Sequence, residues 1–368
     1  MRTKLLTLFA LIWASVAAVL LPKTFVIPSQ SQAGDTLAEY TSTWNNLDGP
    51  KLSPVNATSF DWWYFDAVAS DLSAQVSLLA YTTNSTALGY PFSLPTVTWA
   101  MVTVLLSNGT VIELPLLGEE AIVKVTGEGS SGNWNGTGVS WTSTPDASFY
   151  RVEIDSLAGG VKGSIQLVST APPRYVCDRA GSGFNERIFP HLGWANAVPD
   201  AIATVNLRIA GENVQFLGHG YHDKNWGDRP LPQVAKSWYW GHARLGPYSL
   251  VWFHALSSDG EESVSGYLME NGPVKALNCS GLLVRPAGQN STYPPTPGQG
   301  LPDGFHIEVQ AHDGRTFIAD LTNRDIAWEP PLPDGAYTRW TGAITGGFEG
   351  EKQFKGASVY EWIRYDVE

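Results

Sequence analysis

Along most of the chain, apolar and polar residues alternate with a period of two. Segments 59–70, 74–83, 99–107, 110–114, 149–155 and 161–170 read as strands, because successive side chains on a strand point to opposite faces. The second half repeats the pattern at 203–209, 214–218, 237–244, 249–256, 263–270, 305–311, 316–321, 340–346 and 357–365. Asn108-Gly109, Asn271-Gly272 and Asp313-Gly314 fall between such runs and mark tight hairpins. A type I′ turn needs positive φ at both central positions, which Asn-Gly supplies. No window of helical period and useful length appears outside the N-terminal run. So many short strands predict an all-β protein of barrels or sandwiches, two in tandem. The irregular stretch from Pro172-Pro173 to Pro199-Asp200 is the expected join, giving an N-terminal unit over 34–200 and a C-terminal unit over 201–368. Residues 289–304, rich in Pro, Gly and Ser, read as an exposed loop.

The N-terminal run has a different character. Met1-Arg2-Thr3-Lys4 is basic and 5–21 carries no charge, the layout of a secretory signal. The run is short for a spanning helix, although an uncleaved anchor stays open. Small residues at Ser15 and Ala17, or at Ser31 and Ala33, fit a cleavage site, so the signal is assigned to 1–33 and the mature chain begins between 18 and 34. Six Asn-x-Ser/Thr sequons, at Asn56, Asn84, Asn108, Asn135, Asn278 and Asn290, agree with a glycoprotein of the secretory pathway, in the ER or vacuolar lumen or secreted. No stable membrane insertion is expected after signal removal. Cys177 and Cys279 form one staple in an oxidising lumen or stand as two buried thiols; spacing does not decide between them.

Composition sharpens the picture in two ways. With 43% hydrophobic and 16% charged residues among 368, the chain has ample core. Its net charge of −12 disfavours nucleic acid as a partner. The 15 Trp, 14 Tyr and 14 Phe are a surplus of flat apolar side chains that suits an apolar small molecule. Oligomeric state is not legible.

Several familiar chemistries fail on spacing. His219-x-x-His222-Asp223 brings three potential ligands together, but their directions diverge on a strand and no H-E-x-x-H occurs, so no metal is expected. Gly127-x-Gly129-x-x-Gly132 matches a dinucleotide fingerprint only formally, since Asn133-Trp134-Asn135-Gly136 follows where a helix should begin. A glycine-rich hairpin is the simpler reading. There is no G-x-S-x-G elbow.

Two aromatic segments remain. Asp61-Trp62-Trp63-Tyr64-Phe65-Asp66 is aromatic on both faces of a strand, as for a strand buried between a core and either a second core or a ligand cavity. Gly218-His219-Gly220-Tyr221-His222-Asp223-Lys224-Asn225-Trp226-Gly227-Asp228 packs polar donors and acceptors beside apolar strands. It is either a self-satisfied polar brace or the polar wall of a pocket. Trp238, Trp240 and His242 then share one strand face. Together they suggest an aromatic-walled pocket with a few polar handles.

The pair D-W-W-Y-F-D at 61–66 and Y-H-D-K-N-W-G at 221–227 resembles the tandem lipocalin-like family shared by bacterial carotenoid 1,2-hydratases and fungal Diels–Alderases. The resemblance covers nearly the whole mature chain. It implies an apolar tunnel at the junction of two lipocalin-like barrels and no cofactor. It also implies a Tyr-x-Asp pair, matched here by Tyr221 and Asp223, whose Asp protonates an alkene in the hydratase branch. Lys224 stands where that branch commonly has His. A C-terminal Trp and Lys hold the substrate's polar head in decalin-forming cyclases, and Trp340 and Lys355 are their counterparts by approximate position. The signal and sequons look more like the secretory hetero-Diels–Alder enzymes that couple tropolone quinone methides to humulene-type terpenes.

The expected function is therefore a cofactor-independent [4+2] cyclase of secondary metabolism. Such closure needs pose and polarisation rather than a nucleophile. Tyr221, Asp223, Asn225 and Lys355 are the expected catalytic residues. Asp61, Trp63, Tyr64, His222, Trp226, Trp238, Trp240 and Trp340 are the expected substrate contacts. A hydratase or isomerase using Asp223 as acid, and a non-catalytic carrier, are the alternatives.

Overall fold

The computed structural model describes residues 21–366. Nearly every regular element is a strand; the exceptions among the described residues are single turns at Ser85–Leu88 and Leu231–Val234. The strands that frame the site are β1 (Lys23–Pro28), β2 (Phe60–Ala69), β3 (Gln75–Thr83), β4 (Thr98–Leu105), β5 (Glu120–Thr126), β6 (Leu192–Ile209), β7 (Glu212–Gly227), β8 (Ala235–Leu245), β9 (Tyr248–Ser257), β10 (Gly335–Phe348) and β11 (Phe354–Tyr365). Two curled antiparallel sheets make two tandem barrel-like units, as the alternation predicts. The first sheet passes from β1 through β5 and four further strands to β6, then β7, β2, β3 and β4. The second is centred on β9, β8, β11 and β10 in that order.

The boundary expected at 200/201 falls inside β6. Both β6 and β7 belong to the first sheet, and the chain changes sheet between Gly227 and Ala235. The stretch after Pro172-Pro173 is no linker, because Arg174–Tyr175 and Arg187–Phe189 pair onto β6. Cys177 and Cys279 are bonded, tying this stretch to the loop after Val274–Asn278 of the second sheet, 102 residues away. Turn chemistry is partly as expected. Asn271 and Gly272 both have positive φ (50° and 109°), whereas at 108–109 only Gly109 does.

The signal assigned to 1–33 also needs correction at its end. Residues 1–20 lie outside the described residues, but β1 pairs with β5 from Lys23↔Val125 to Pro28↔Glu120, and Ser29 accepts the Val97 N–H. Cleavage after Ala33 would remove a hydrogen-bonded edge strand. Of the two candidate cleavage patterns, the one at Ser15/Ala17 leaves this strand in place. N-terminal peptide mass spectrometry of protein from a eukaryotic host checks this; a chain starting at Gly34 would contradict it. Among the sequons, Asn108 and Asn290 are exposed, while Asn56, Asn84, Asn135 and Asn278 are half-buried.

Among the described residues, three large apolar cores result, with a small cluster of Val68, Leu72, Ala357 and Val359 beside them. One fills the first barrel around Trp63, Trp134, Trp141 and Trp226. One fills the second unit around Trp252, Trp340 and Trp362. The third lies in the seam between the sheets and holds the site.

Candidate functional site

The two motifs singled out in the sequence are hydrogen-bonded neighbours. β2 and β7 pair in register from Phe60↔Gly227 to Ala69↔Gly218, so Trp62 lies opposite Asn225, Tyr64 opposite Asp223, and Asp66 opposite Tyr221. Cross-strand partners share a face. That set faces the second sheet, while Asp61, Trp63 and Phe65, with His222, Lys224 and Trp226, face the interior of the first barrel.

In the seam lies a narrow cavity with about 40 Å³ of room for water-sized molecules. Trp62, Tyr64, Leu79, Tyr81 and Tyr90 line it from the first unit, with Asp223 and Asn225. From the second come Trp238, Trp240, Phe253, Tyr337, Arg339, Glu361 and Tyr365. Half of the lining residues are aromatic, and the charged groups fall into two sets.

The first set centres on Asp223. Its Oδ2 accepts the Trp194 indole N–H (2.7 Å) and the Tyr221 hydroxyl (2.7 Å). Burial pushes the Asp223 carboxyl up to about 7, against the opposing pull of those two hydrogen bonds. A carboxyl near that value can hold a proton in a dry cavity at neutral pH and give it up. The second set is an ion pair. Arg339 donates through Nε (3.0 Å) and Nη2 (2.8 Å) to Glu361 Oε2, which also accepts the Tyr337 hydroxyl (2.7 Å). Trp238 Nε1 donates to Oε1 (3.1 Å), and the guanidinium lies 4.6 Å from the Tyr64 ring centroid.

Of the residues expected from sequence, Tyr64, Asp223, Asn225, Trp238 and Trp240 line the cavity, and Tyr221 stands directly behind Asp223. The others do not reach it. Trp63 packs in the first barrel and donates to the Asp48 carbonyl (2.9 Å). Trp226 packs beside it and donates to the Glu39 carbonyl (2.6 Å). Asp61 is buried in an ion pair with Lys224. His222 bridges the Tyr64 carbonyl (2.8 Å) and Asp48 Oδ1 (3.0 Å). Strand alternation sends these four inward, one position out of phase with the cavity face. For the same reason Trp340, next to Arg339, stacks on Tyr360 in the second core (5.7 Å). Lys355 is exposed, six residues before Glu361 on β11 and so roughly 20 Å away by strand rise.

Sequence reasoning missed Arg339, Glu361, Tyr337, Tyr81 and Tyr90. The signal for Arg339 was a lone charge in an aromatic strand, whereas Glu361 shares its strand with Lys355 and Arg364 and does not stand out. Their pairing comes from register, Arg339↔Glu361. Among the described residues no cluster of His, Cys, Asp and Glu suits a metal.

Comparison with known proteins bears on this geometry. The family model described as Diels-Alderase-like matches residues 28–280. The chain belongs to the Diels-Alderase-like family. It is 35% identical over 338 residues to the quinolone epoxide rearrangement protein asqO of Emericella nidulans, covering 90% of this chain and 91% of that one. It is 25% identical over 360 residues to the Diels-Alderase cheD of Chaetomium globosum, covering 88% and 79%. The crystal structure of CghA with Sch210972 superposes with a TM-score of 0.78 at 19% identity, covering 94% of this chain and 100% of that one. The tandem lipocalin-like fold is thereby shared, and the relatives' names support an enzyme.

Proposed function

We propose that this Diels-Alderase-like protein catalyses an acid-assisted rearrangement or cyclisation of an apolar, oxygen-bearing small molecule, with Asp223 as the proton donor. The observation that carries the reading is the Asp223 carboxyl itself: buried, raised to about 7, and lining an aromatic cavity with both side-chain hydrogen bonds on Oδ2. Oδ1 is then the atom that gives the proton. An epoxide oxygen placed there takes the proton as its C–O bond breaks. Trp194 N–H and Tyr221 O–H stabilise the carboxylate left behind. The rings of Trp62, Tyr81 and Trp240 face the positive charge that develops on carbon. Their apolar faces keep water from capturing it. The name of asqO, a quinolone epoxide rearrangement protein, supports this class of substrate.

A second reading, favoured by the aromatic walls and by Diels-Alderase relatives such as cheD, is [4+2] closure. A quinone methide and a terpene alkene would be held in one pose, and protonated Asp223 would polarise the oxygen. Secretion through an oxidising lumen belongs to both readings and is supported by the Cys177–Cys279 bond. The test incubates the protein with a quinolone epoxide and follows products by mass spectrometry. Accelerated formation of an isomer supports the first reading. Addition of water points to a hydratase, an unchanged epoxide to a carrier, and turnover only of a diene–dienophile pair to the second reading.

A further inference from the structure

The two paired motifs carry the same three-residue unit. Tyr64-x-Asp66 on β2 and Tyr221-x-Asp223 on β7 face one side, each Tyr opposite the other unit's Asp. In both, the hydroxyl donates to Oδ2 of the Asp two residues on, at 2.6 Å and 2.7 Å. The units differ in what faces the cavity and in the third partner. In one, Asp223 lines the cavity with Tyr221 and Trp194 behind it. In the other, Tyr64 lines it, Asp66 stands behind, and His242 Nε2 meets Asp66 Oδ2 at 2.8 Å. One arm presents a carboxyl; the other presents a phenol backed by a carboxyl and an imidazole.

A phenol that donates to a carboxylate can accept one proton while passing on its own. Asp66 Oδ1 is fully buried without a hydrogen-bond partner among the described residues, so an acceptor site on this carboxyl stands open. Burial raises the Tyr64 phenol well above its ordinary value, so it must gain one proton as it passes on the other, and the Arg339 guanidinium over the ring offsets part of that burial. His242 also stacks on Tyr221 (4.5 Å, 9°), so one imidazole supports both arms.

We propose that Tyr64, backed by Asp66 and His242, is the base of the reaction in which Asp223 is the acid, an inference that rests on the acid-assisted reading above. A substrate proton forms its bond to Tyr64 Oη while the Oη–H bond breaks and that proton passes to Asp66. The electron pair left on the substrate closes the new bond of the product. Asp223 ends as carboxylate and Asp66 as carboxylic acid, so the protein's proton count is unchanged. Exchange with solvent after product leaves resets both. Tyr64 is then a catalytic residue, and Asp66 and His242 position it and take its proton.

The experiment measures kcat and KM on a quinolone epoxide for Tyr64→Phe, Asp66→Asn, their double variant, His242→Gln and Asp223→Asn, each checked for native circular dichroism. General-base loss predicts a fall in kcat of about 10²-fold for Tyr64→Phe and for Asp66→Asn, with KM within a few-fold. Because the two act in series, the double variant should be no slower than either single one. His242→Gln, which keeps a donor to Asp66 but loses the imidazole, should lower kcat by less than Tyr64→Phe does. A loss equal to that of Asp66→Asn would make the ring itself part of the relay. Tyr64→Phe removes one oxygen atom and keeps the ring, so it reads the proposal even if Asp66→Asn fails to fold. Wild-type kcat in Tyr64→Phe while Asp223→Asn is inactive would overturn the base and leave the acid standing. Losses that multiply in the double variant would overturn the relay. Full activity in Asp223→Asn, or no turnover by wild type, would remove the acid-assisted reading and this inference with it.

Discussion

Asp223→Asn should lower kcat on a quinolone epoxide by about 10³-fold, within the range for loss of a general acid, while the protein stays folded. The amide keeps the shape and can still accept from Trp194 and Tyr221, but has no acidic proton. Stability gives the loss an independent signature. In the native protein the Asp223 carboxyl is raised to about 7 from an ordinary 3.8, so between these values the folded form holds a proton that the unfolded form has released. Stability therefore falls as pH rises from about 4 to 7, by an amount on the order of 4 kcal/mol, and stays low above it. An asparagine carries no such penalty. The variant should be less active than wild type at every pH yet more stable above about pH 7, as read by denaturant titration at two pH values. Wild-type activity should fall as pH rises through about 7, where the acid ionises. Glu186 is also raised by burial, to about 7, and adds to the stability slope. It ion-pairs with Lys51 and does not line the cavity, so it leaves the activity profile alone. Equal activity of wild type and variant would defeat the acid and favour a cavity that works by pose alone.

How much of this was legible in the chain differs by level. Period-two alternation and paucity of helix signals are local properties, and they forecast the all-β tandem architecture. In the second motif, alternation put Tyr221 and Asp223 on one strand face, where they hydrogen-bond, while the Tyr-x-Asp chemistry itself entered through the family resemblance. Which face of β2 meets the cavity was not local. Trp62 and Trp63 are equally apolar, and only the pairing of β2 with β7, and of their shared surface with the second sheet, separates them. Alternation could say that Trp62 and Tyr64 share a face; it could not say which core that face joins. The Arg339–Glu361 pair was hidden for a related reason. A residue's partner across a sheet is set by register, and between β10 and β11 the two are 22 positions apart in sequence. Attention to Trp340 was off by one residue, which on a strand means the opposite side. The boundary moved for a third reason: a Pro- and Gly-rich stretch looks the same whether it links two units or is strapped to one by short strand pairs and a disulfide.

Arg339→Met should destabilise the fold by about 3–5 kcal/mol, the cost of leaving one partner of a buried ion pair alone. The pair is unusually committed. Arg339 is 2% exposed and Glu361 7%, so neither charge can turn to water. Two guanidinium nitrogens go to Glu361, Nη2 also reaches the Tyr337 hydroxyl (2.5 Å), and Nη1 reaches Ser77 Oγ (3.3 Å). Ser77 belongs to β3 of the first sheet, so this side chain crosses the seam that the cavity occupies. Removing it deletes a bridge between the units and leaves Glu361 with only the Trp238 and Tyr337 donors. If the cost comes from the stranded carboxylate, Arg339→Met combined with Glu361→Gln should recover most of it, because an amide is far cheaper to bury than an unpaired charge. If it comes from the lost bridge to Ser77, the double variant should stay as unstable as the single one. Denaturant unfolding of the two variants separates these outcomes. The first would make the pair a local electrostatic unit at the polar end of the cavity, and the second would make Arg339 the clamp that holds the two barrels around their substrate.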